Sequence, residues 1–543
     1  MYQPFLGAVL LATAMAQTVP PSDPPKASIS GVVRDAGTAN PMADVEVYAS
    51  GRQLETKTDS QGRYALRDLA PGTYRVQALA GPMGPSHVRV INLLAGQQLD
   101  SVDFYLHAFG EISGKVLDED KEPVPGIAVF LIAREYSNGS LRHVFAGMAH
   151  TDDRGEYRLQ KVRPGRGYLI LAEKRQQEIQ PISDVPSDLK SRKTVLTPTY
   201  YPGAQSIDGA EVIVLRASER REGMDLQMSR SPSYCLGGVL EAEGRPAALF
   251  FSIRELEPTS GASGNGAMFV SAPHGMSGPD GRIRICELHA GDYKVTVEQF
   301  PKDAGPPPFF DTTSVTIVDR DLGNLKVGAS TRVAVPGEVT WYGTPPETPL
   351  ESKISLWLRP TTRAPWQGEL TDTTASVPGQ FLFPGLLIDD YNINVNGLPK
   401  GAYLKDITYG GLSILHQPLH PGSAMGNATL RLIVAHDGGT VNAKVTDKDG
   451  NPVADCQVLI IPAAASSESS LADTMLLGQT DQNGAYTSEM LAPGKYILLA
   501  TNTPVDRTPE SIQQVMGVRS RAQEIEIAPN STLSVSLSPM TIN

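Results

Sequence analysis

One short motif returns along the chain at a nearly constant internal spacing, and it limits the possible fold more than any other feature. In its clearest copy, Thr58–Tyr64 reads TDSQGRY and Leu69–Tyr74 reads LAPGTY. An Asp that begins a turn accepts a hydrogen bond from the backbone N–H two residues on, and a Gly three residues later supplies the positive φ of a bulged hairpin. Because side chains alternate along a strand, Tyr64 and Leu66 then face the same, half-buried side. Pro71-Gly72 predicts a type II turn before the next strand.

Five copies of this motif share a Gly, an aromatic residue or Ile two positions later, and a closing Tyr twelve positions after the Gly in four of the five. The copies are Gly62, Tyr64 and Tyr74; Gly155, Tyr157 and Tyr168; Gly281, Ile283 and Tyr293; Gly379, Phe381 and Tyr391; and Gly484, Tyr486 and Tyr496. An apolar-x-small-x-Val strand precedes each copy, beginning at Ile29, Ile112, Cys235, Val335 and Val441. Short strands separated by regular turn signals predict an all-β sandwich, and their recurrence predicts an array of such domains.

These motifs resemble those of the carboxypeptidase regulatory-like domain family, whose pattern combines an I-x-G-x-V strand, a Pro-led strand, T-D-x-x-G-x-Y and L-x-P-G-x-Y. The resemblance is good in the first, second and fifth copies, partial in the third and weak in the fourth. It implies a secreted bacterial multidomain array of transthyretin-like, Ig-like β-sandwiches without catalytic activity of their own. A related sugar-binding group shares this carbohydrate-binding-like fold.

The resulting division of the chain has seven parts. We expect a signal peptide at 1–16, a Pro-rich leader at 17–26, repeat one at 27–107, repeat two at 108–230 with an insert at 173–205, repeat three at 231–327, repeat four at 328–433 and repeat five at 434–543. The insert contains the run Thr197–Gly203, which is either a protruding arm or a linker whose Tyr200 and Tyr201 pack on the sandwich.

The N-terminal residues and the overall charge indicate an exported acidic protein. Phe5–Ala14 is a short apolar run before Ala14-Met15-Ala16, as in a secretory signal cleaved after Ala16, although no Lys or Arg precedes the run. A buried N-terminal strand is the alternative interpretation. The net charge of -12 disfavours a nucleic-acid partner, which requires a basic face. No later apolar run has the length of a membrane-spanning helix.

The three cysteines suggest one disulfide. Cys235 and Cys286 both belong to repeat three, and an exported protein can keep such a bond. Strand alternation predicts that Cys235 faces inward and Cys286 outward, which opposes the bond, but the change of period between Ile285 and Leu288 can rotate Cys286 inward. Cys456 is expected to be a small residue of the core.

The sequence contains no recognisable catalytic set, and we expect neither a metal nor a cofactor. His416 and His420 have the i, i+4 spacing of a helical zinc site, but Pro418 lies between them and breaks a helix. The turn Asp residues offer too few carboxylates for calcium. A Lys–Asn isopeptide bond involving Lys444, with Glu489 as the promoting acid, remains an alternative in repeat five.

The tryptophans of repeat four supply the one hint of binding. In Lys353–Arg359, alternation places Ile354, Leu356 and Leu358 inward and Trp357 outward, and Trp366 lies in a nearby loop. Trp357 and Trp366 are therefore candidates for stacking on a sugar ring, or alternatively for packing on a neighbouring domain. We expect a non-enzymatic exported scaffold or interaction protein of the cell envelope with an unidentified protein or polysaccharide partner. The alternatives are a carbohydrate-binding protein and an accessory subunit of an envelope peptidase or transporter.

Overall fold

The computed structural model describes residues 25–49, 54–81, 83–86, 88–137, 139–174, 194–242, 244–255, 274–299, 309–328, 332–346, 353–360, 371–387, 390–422 and 428–542. The predicted signal peptide, most of the leader, residues 175–193 of the insert and Trp366 lie outside these ranges. Within them the regular secondary structure is almost entirely β-strand, which confirms the predicted fold class.

Repeat one is a sandwich of two sheets that enclose a core with Ile29, Val47 and Leu66 at its centre. One sheet has the order β4-β1-β7, with β8 also beside β1, and the other has the order β3-β2-β5-β6. The strands are β1 (Ala27–Asp35), β2 (Glu46–Ala49), β3 (Leu54–Lys57), β4 (Arg63–Leu69), β5 (Gly72–Leu79), β6 (Arg89–Leu93), β7 (Gln98–Leu99) and β8 (Phe104–Leu106).

Repeat two has the same arrangement, with sheets β12-β9-β17 and β11-β10-β13-β15, to which β18 and β16 are added. Its strands are β9 (Gly110–Leu117), β10 (Ala128–Ser137), β11 (Ser140–His150), β12 (Glu156–Val162), β13 (Gly167–Glu173), β14 (Thr194–Leu196), β15 (Thr199–Tyr200), β16 (Ile213–Val214), β17 (Arg220–Arg221), β18 (Leu226–Gln227) and β19 (Arg230–Pro232). Tyr200 is buried and Tyr201 packs on the core, so this end of the insert is wrapped onto the sandwich.

Repeat three contains the sheets β21-β20-β24, with β27 beside β20, and β23-β22-β25-β26. The strands are β20 (Tyr234–Ala242), β21 (Arg245–Pro246), β22 (Phe250–Glu255), β23 (His274–Met276), β24 (Arg282–Leu288), β25 (Gly291–Gln299), β26 (Phe309–Ile317) and β27 (Leu322–Val327).

Repeat four contains a five-stranded sheet, β31-β28-β35-β33-β34, and a three-stranded sheet, β30-β29-β32. The strands are β28 (Arg332–Trp341), β29 (Lys353–Pro360), β30 (Thr371–Ser376), β31 (Gly379–Leu387), β32 (Tyr391–Asn396), β33 (Tyr403–Tyr409), β34 (Leu412–Ser413) and β35 (Leu430–Ala435).

Repeat five adds a layer of helices to the sandwich formed by the sheets β39-β36-β42 and β38-β37-β40-β41. Leu459 and Leu499 on the outer face of the second sheet are buried together with Leu471 of α1 and Ile512 of α2. The elements are β36 (Thr440–Val445), β37 (Gln457–Pro462), α1 (Glu468–Thr474), β38 (Leu476–Gln479), β39 (Ala485–Thr487), β40 (Gly494–Thr501), α2 (Pro509–Val518), β41 (Gln523–Ile527) and β42 (Thr532–Leu537).

The glycine of the first strand and the motif Tyr meet at a single carbonyl of the closing segment. A Cβ added to Gly31 would lie 2.1 Å from the carbonyl oxygen of Val102, and Tyr64 donates its hydroxyl to that oxygen at 2.7 Å. Repeat two repeats the arrangement with Gly114, Met224 and Tyr157, at 2.2 and 2.6 Å. The small residue and the Tyr are therefore two parts of one contact that joins two strands to the closing segment.

The Thr and Asp of the motif hold the turn through their side chains. Thr58 Oγ1 accepts a hydrogen bond from the Val45 N–H at 2.9 Å and donates to the Met42 carbonyl at 2.7 Å. Asp59 accepts from two later N–H groups of its turn, at 2.8 and 2.9 Å, and these bonds lower the pKa of its carboxyl. Equivalent bonds form at Thr151, Ser277 and Thr480 and at Asp152 and Asp481.

The closing Tyr of the motif anchors the turn that precedes it in four repeats. Tyr74, Tyr293 and Tyr496 donate to the carbonyl four residues earlier at 2.8–2.9 Å, and Tyr168 donates to the carbonyl five residues earlier at 3.1 Å. The predicted type II turn is wrong in repeats one and five, because Gly72 and Gly494 have φ of 154° and 153° instead of the +80° such a turn needs.

The alternation predicted for the first strand of repeat three is wrong by one residue. Leu236 and Leu240 are buried in the core, whereas Cys235 lies on the opposite row. A Cβ added to Gly238 would lie 2.2 Å from the Leu325 carbonyl oxygen, while one added to Gly237 would meet nothing closer than 3.6 Å. Two adjacent glycines allow either register, and the two buried leucines favour the observed one.

Repeat five contacts three other repeats, which a simple string of domains does not predict. Arg89 of repeat one pairs with Asp455 at 2.5 Å, and Arg166 of repeat two pairs with Asp506 at 2.7 Å. Tyr136 of repeat two donates its hydroxyl to Glu468 at 2.7 Å and packs against the apolar layer beneath the helices. His416 of repeat four lies 2.9 Å from Asp473. Repeat five is thus the common partner of repeats one, two and four.

Candidate functional site

Trp357 projects from the middle of a three-stranded sheet. It lies on β29, between β30 and β32, and is 42% exposed, whereas Ile354, Leu356 and Leu358 of the same strand are buried in the core. The row of inward residues therefore lies where the alternation placed it. No aromatic ring of the described residues stacks on Trp357 and no other repeat buries it among them.

Polar side chains flank Trp357 on the same face. Asp372 of β30 and Asn394 of β32 are its direct cross-strand partners, and both are exposed. Directly opposed residues of neighbouring strands have their Cβ atoms about 4.5–5.5 Å apart. The Trp357 face, defined here as Trp357, Asp372 and Asn394, thus combines a flat ring with a carboxylate and an amide. Trp366 lies outside the described residues.

Cys235 and Cys286 form a disulfide in the structure, with their Cα atoms 4.0 Å apart. The expected orientation of Cys235 is wrong, since it lies on the same outward row as Cys286. A β-bulge between Tyr234 and Leu236 lies beside the bond, and Glu287 has a positive φ of 62° there. Cys456 is a buried free thiol, and burial raises its pKa to about 11.

The two histidines of repeat four, His416 and His420, each contact a different carboxylate. His416 lies 2.9 Å from Asp473, and His420 lies 2.8 Å from Asp390. Both histidines are in a loop, and within the described ranges no three His, Cys, Asp or Glu side chains approach closely enough to hold a metal ion. The hydrogen bond to Asp473 raises the pKa of His416.

Lys444 does not have the surroundings that an isopeptide bond requires. Its side chain is exposed, and its neighbours on the adjacent strands are Ala485 and Ser536. Neither neighbour carries a carboxamide. Glu489 is exposed, lines the cavity described next and forms no ion pair with Lys444.

A cavity of about 750 Å³ lies between repeats one and five, and the sequence reasoning missed it. Strand β6 and the adjoining Val88 line it from repeat one, and strand β38 and Tyr486 line it from repeat five. Charged residues of the lining include Arg75, Asp481, Glu489 and Arg507. Tyr486 rests on Gly478, because a Cβ added there would lie 2.1 Å from its ring. Ligand sites of this size are common where two domains meet.

Polar contacts between the two repeats border this cavity. The side-chain amide of Gln482 accepts from the Asn92 N–H at 3.3 Å and donates to the Asn92 carbonyl at 2.7 Å. Asn92 Nδ2 donates to Asp481 at 3.2 Å, and Arg89 pairs with Asp455. Burial raises the pKa of Asp455 to about 6, although the neighbouring Arg89 acts in the opposite direction.

No helix among the described residues has the length and apolar character needed to cross a membrane.

Comparison with protein families confirms the resemblance for repeat one. Residues 28–107 match the carboxypeptidase regulatory-like domain. A comparison with curated proteins found no match.

Solved structures similar to this chain include three bacterial proteins. The Bacillus anthracis TIE protein is 11% identical, with 92% of this chain aligned to 75% of that chain at a TM-score of 0.16. A streptococcal ancillary pilin is 12% identical over 56% of this chain and 98% of that chain, at a TM-score of 0.20. BcpA, the major pilin subunit of Bacillus cereus, is 12% identical over 56% of this chain and 100% of that chain, at a TM-score of 0.15.

Proposed function

We propose that this chain is a non-enzymatic, exported scaffold or interaction protein composed of five β-sandwich repeats with the boundaries given above. The observation that carries the proposal is the position of repeat five, which makes specific polar contacts with repeats one, two and four. Contacts of this kind fix the relative positions of several domains and so present their surfaces as one unit. Detection of a catalytic activity that a single substitution abolishes would contradict it.

Export is supported by the disulfide, because such bonds persist in oxidising compartments outside the cytosol. We expect that a thiol-specific reagent labels only Cys456 of the three cysteines when the native, exported protein is denatured without a reductant, and labels all three after reduction. Labelling of all three before reduction would contradict the oxidising location. N-terminal sequencing of the same material is expected to begin at Gln17.

Polysaccharide binding is a second candidate, and the Trp357 face supports it. The exposed indole ring of Trp357 offers a flat apolar surface on which the C–H face of a sugar ring can stack. The flanking Asp372 and Asn394 offer hydrogen-bonding groups for the sugar hydroxyls. The test is retention of the full chain on insoluble polysaccharides. We expect Trp357→Ala to abolish retention, while Tyr105→Ala, which removes an equally exposed aromatic ring from repeat one, leaves it unchanged. Equal retention of the two variants would show that Trp357 does not bind the polysaccharide.

An accessory role beside an envelope peptidase or transporter is the third possibility carried over from the sequence. Copurification of the full chain from native envelope tests it, and recovery of the chain without a partner would count against it.

A further inference from the structure

The cavity between repeats one and five lies between two strand edges. Among the described residues, β6 pairs only with β5, and β38 pairs only with β37, so each is the last strand of its sheet. The outer edges of both strands border the cavity. An edge strand presents backbone N–H and C=O groups that have no partner in its own sheet.

The contact with Gln482 shows which residues of β6 direct their backbone groups toward the open edge. A carboxamide carries a donor and an acceptor side by side, as a peptide group does, and Gln482 uses both on Asn92. It therefore occupies the place of a residue on an additional strand. Because alternate residues point their backbone groups to the same edge, those of Val90 also face outward, into the cavity that Val90 lines.

Strand β38 also directs alternate backbone groups toward its open edge. Thr480 donates its N–H to the Cys456 carbonyl at 2.9 Å, so its backbone faces β37. The register between the two strands continues unbroken from this pair, which places the backbone of Gly478 toward β37 as well. The N–H and C=O groups of Leu477 and Gln479 therefore face the open edge, and both residues line the cavity.

The remaining features of the cavity suit an extended chain with side chains of mixed character. Leu476 and Leu477 are 40% and 37% exposed, so β38 offers apolar surface on either side of its free edge. Arg75 and Glu489 are exposed at the margins, and neither forms an ion pair with another described residue. One free cation and one free carboxylate complement a ligand that carries one charge of each sign.

We propose that this cavity binds an extended peptide segment of a partner protein, which adds as a strand to the open edge of β38 and carries one acidic and one basic side chain. Strand addition uses backbone hydrogen bonds for affinity and side-chain contacts for specificity. The proposal rests on the interaction role proposed above and specifies the chemistry of the partner. Different results would contradict the two proposals. A catalytic activity would contradict the interaction role, whereas the binding measurements below test the peptide site alone.

The experiment selects binders from a phage-displayed library of random decapeptides on the full chain and then uses the strongest binder as a synthetic peptide. We expect its affinity to fall about two- to tenfold for Leu477→Pro, because the substitution removes one outward N–H and with it one net hydrogen bond. Leu477→Ala keeps the N–H and is expected to retain most of the affinity. Proline is tolerated at strand edges, and the thermal unfolding of both variants checks their folding.

Two measurements on the unsubstituted chain keep the test independent of folding. The bound peptide is expected to slow amide hydrogen exchange at Val90, Leu477 and Gln479. Of two peptides N-methylated at alternate residues, the one methylated on the N–H groups that face β38 is expected not to bind. The proposal is overturned if the library yields no binder, if the selected peptide protects other amides, or if Leu477→Pro binds as well as Leu477→Ala. Binding of a soluble oligosaccharide to these same amides, with no peptide binder, would also overturn it.

Discussion

The close approach at Gly31 gives the sharpest test of how the recurring motif holds a sandwich together. Replacement by Ala places a Cβ 2.1 Å from the carbonyl oxygen of Val102, which is backbone and cannot rotate away. The same oxygen accepts the hydroxyl of Tyr64 at 2.7 Å, in a buried position. The substitution therefore forces the closing segment away from β1 and strains or breaks that hydrogen bond.

The cost has two parts. Overpacking a close-packed interior typically costs about 1–3 kcal/mol. An unpaired buried hydrogen-bonding group adds about 1–3 kcal/mol when the bond to Tyr64 is lost. We therefore expect repeat one to lose about 2–6 kcal/mol of its free energy of unfolding, and at least a tenfold increase in its opening equilibrium follows from the lower figure.

Amide hydrogen exchange of peptides from residues 27–107 is the suitable assay, because a chain of several domains has no single unfolding transition. Gly31→Ala is expected to accelerate exchange throughout repeat one and to leave repeat three unchanged. Gly81→Ala is the matched control in the same repeat, since an added Cβ there meets nothing within 4 Å. Equal exchange in the two variants would refute the role assigned to the contact.

Two further predictions concern other contacts. Thr151→Val leaves the buried Ile127 N–H and the Val124 carbonyl without their partner, so the free energy of unfolding of repeat two is expected to fall by about 1–3 kcal/mol. Thr151→Ser keeps the hydroxyl and is expected to retain that stability. Urea denaturation monitored by amide hydrogen exchange of repeat two compares the two variants. The pKa of His416 is raised in the folded chain, so the stabilising contact with Asp473 is fully present below the ordinary histidine pKa of about 6.5 and is lost as the pH rises through the raised value. Exchange of the α1 amides is accordingly expected to accelerate with pH beyond the intrinsic increase, and His416→Gln is expected to remove this excess. An identical pH profile in that variant would contradict the assignment.

Local structure was predictable from the sequence because its determinants are close together along the chain. The turn at Thr58 and Asp59, the alternation around Tyr64 and the inward row beside Trp357 all depend on residues within one or two strands. The same signals recur in several copies, and each recurrence supports the same local structure. The fold class followed from them.

Two kinds of feature could not be obtained this way. Gly237 and Gly238 satisfy the same local requirement, so only the packing of Leu236 and Leu240 fixes the register that brings Cys235 beside Cys286. The contact of Asn92 with Gln482 joins residues 390 positions apart, and a periodic pattern contains no information on which copies touch. The cavity lies beside that contact, and the sequence signals the contact only through the presence of Gln482 in the TDQNG turn of repeat five.

The position of repeat five has a consequence for the order in which the molecule is completed. A ribosome makes repeats one to four before repeat five, and domains of such chains generally fold as units in the order of synthesis. The early sandwiches can each form around their own cores. The contacts of Arg89, Arg166 and His416 form only later, after synthesis of their partners in repeat five, which are Asp455, Asp506 and Asp473. A chain interrupted before residue 434 would therefore lack all three of these contacts, and of the three the one between repeats two and five, which needs Asp506, is the last that can form.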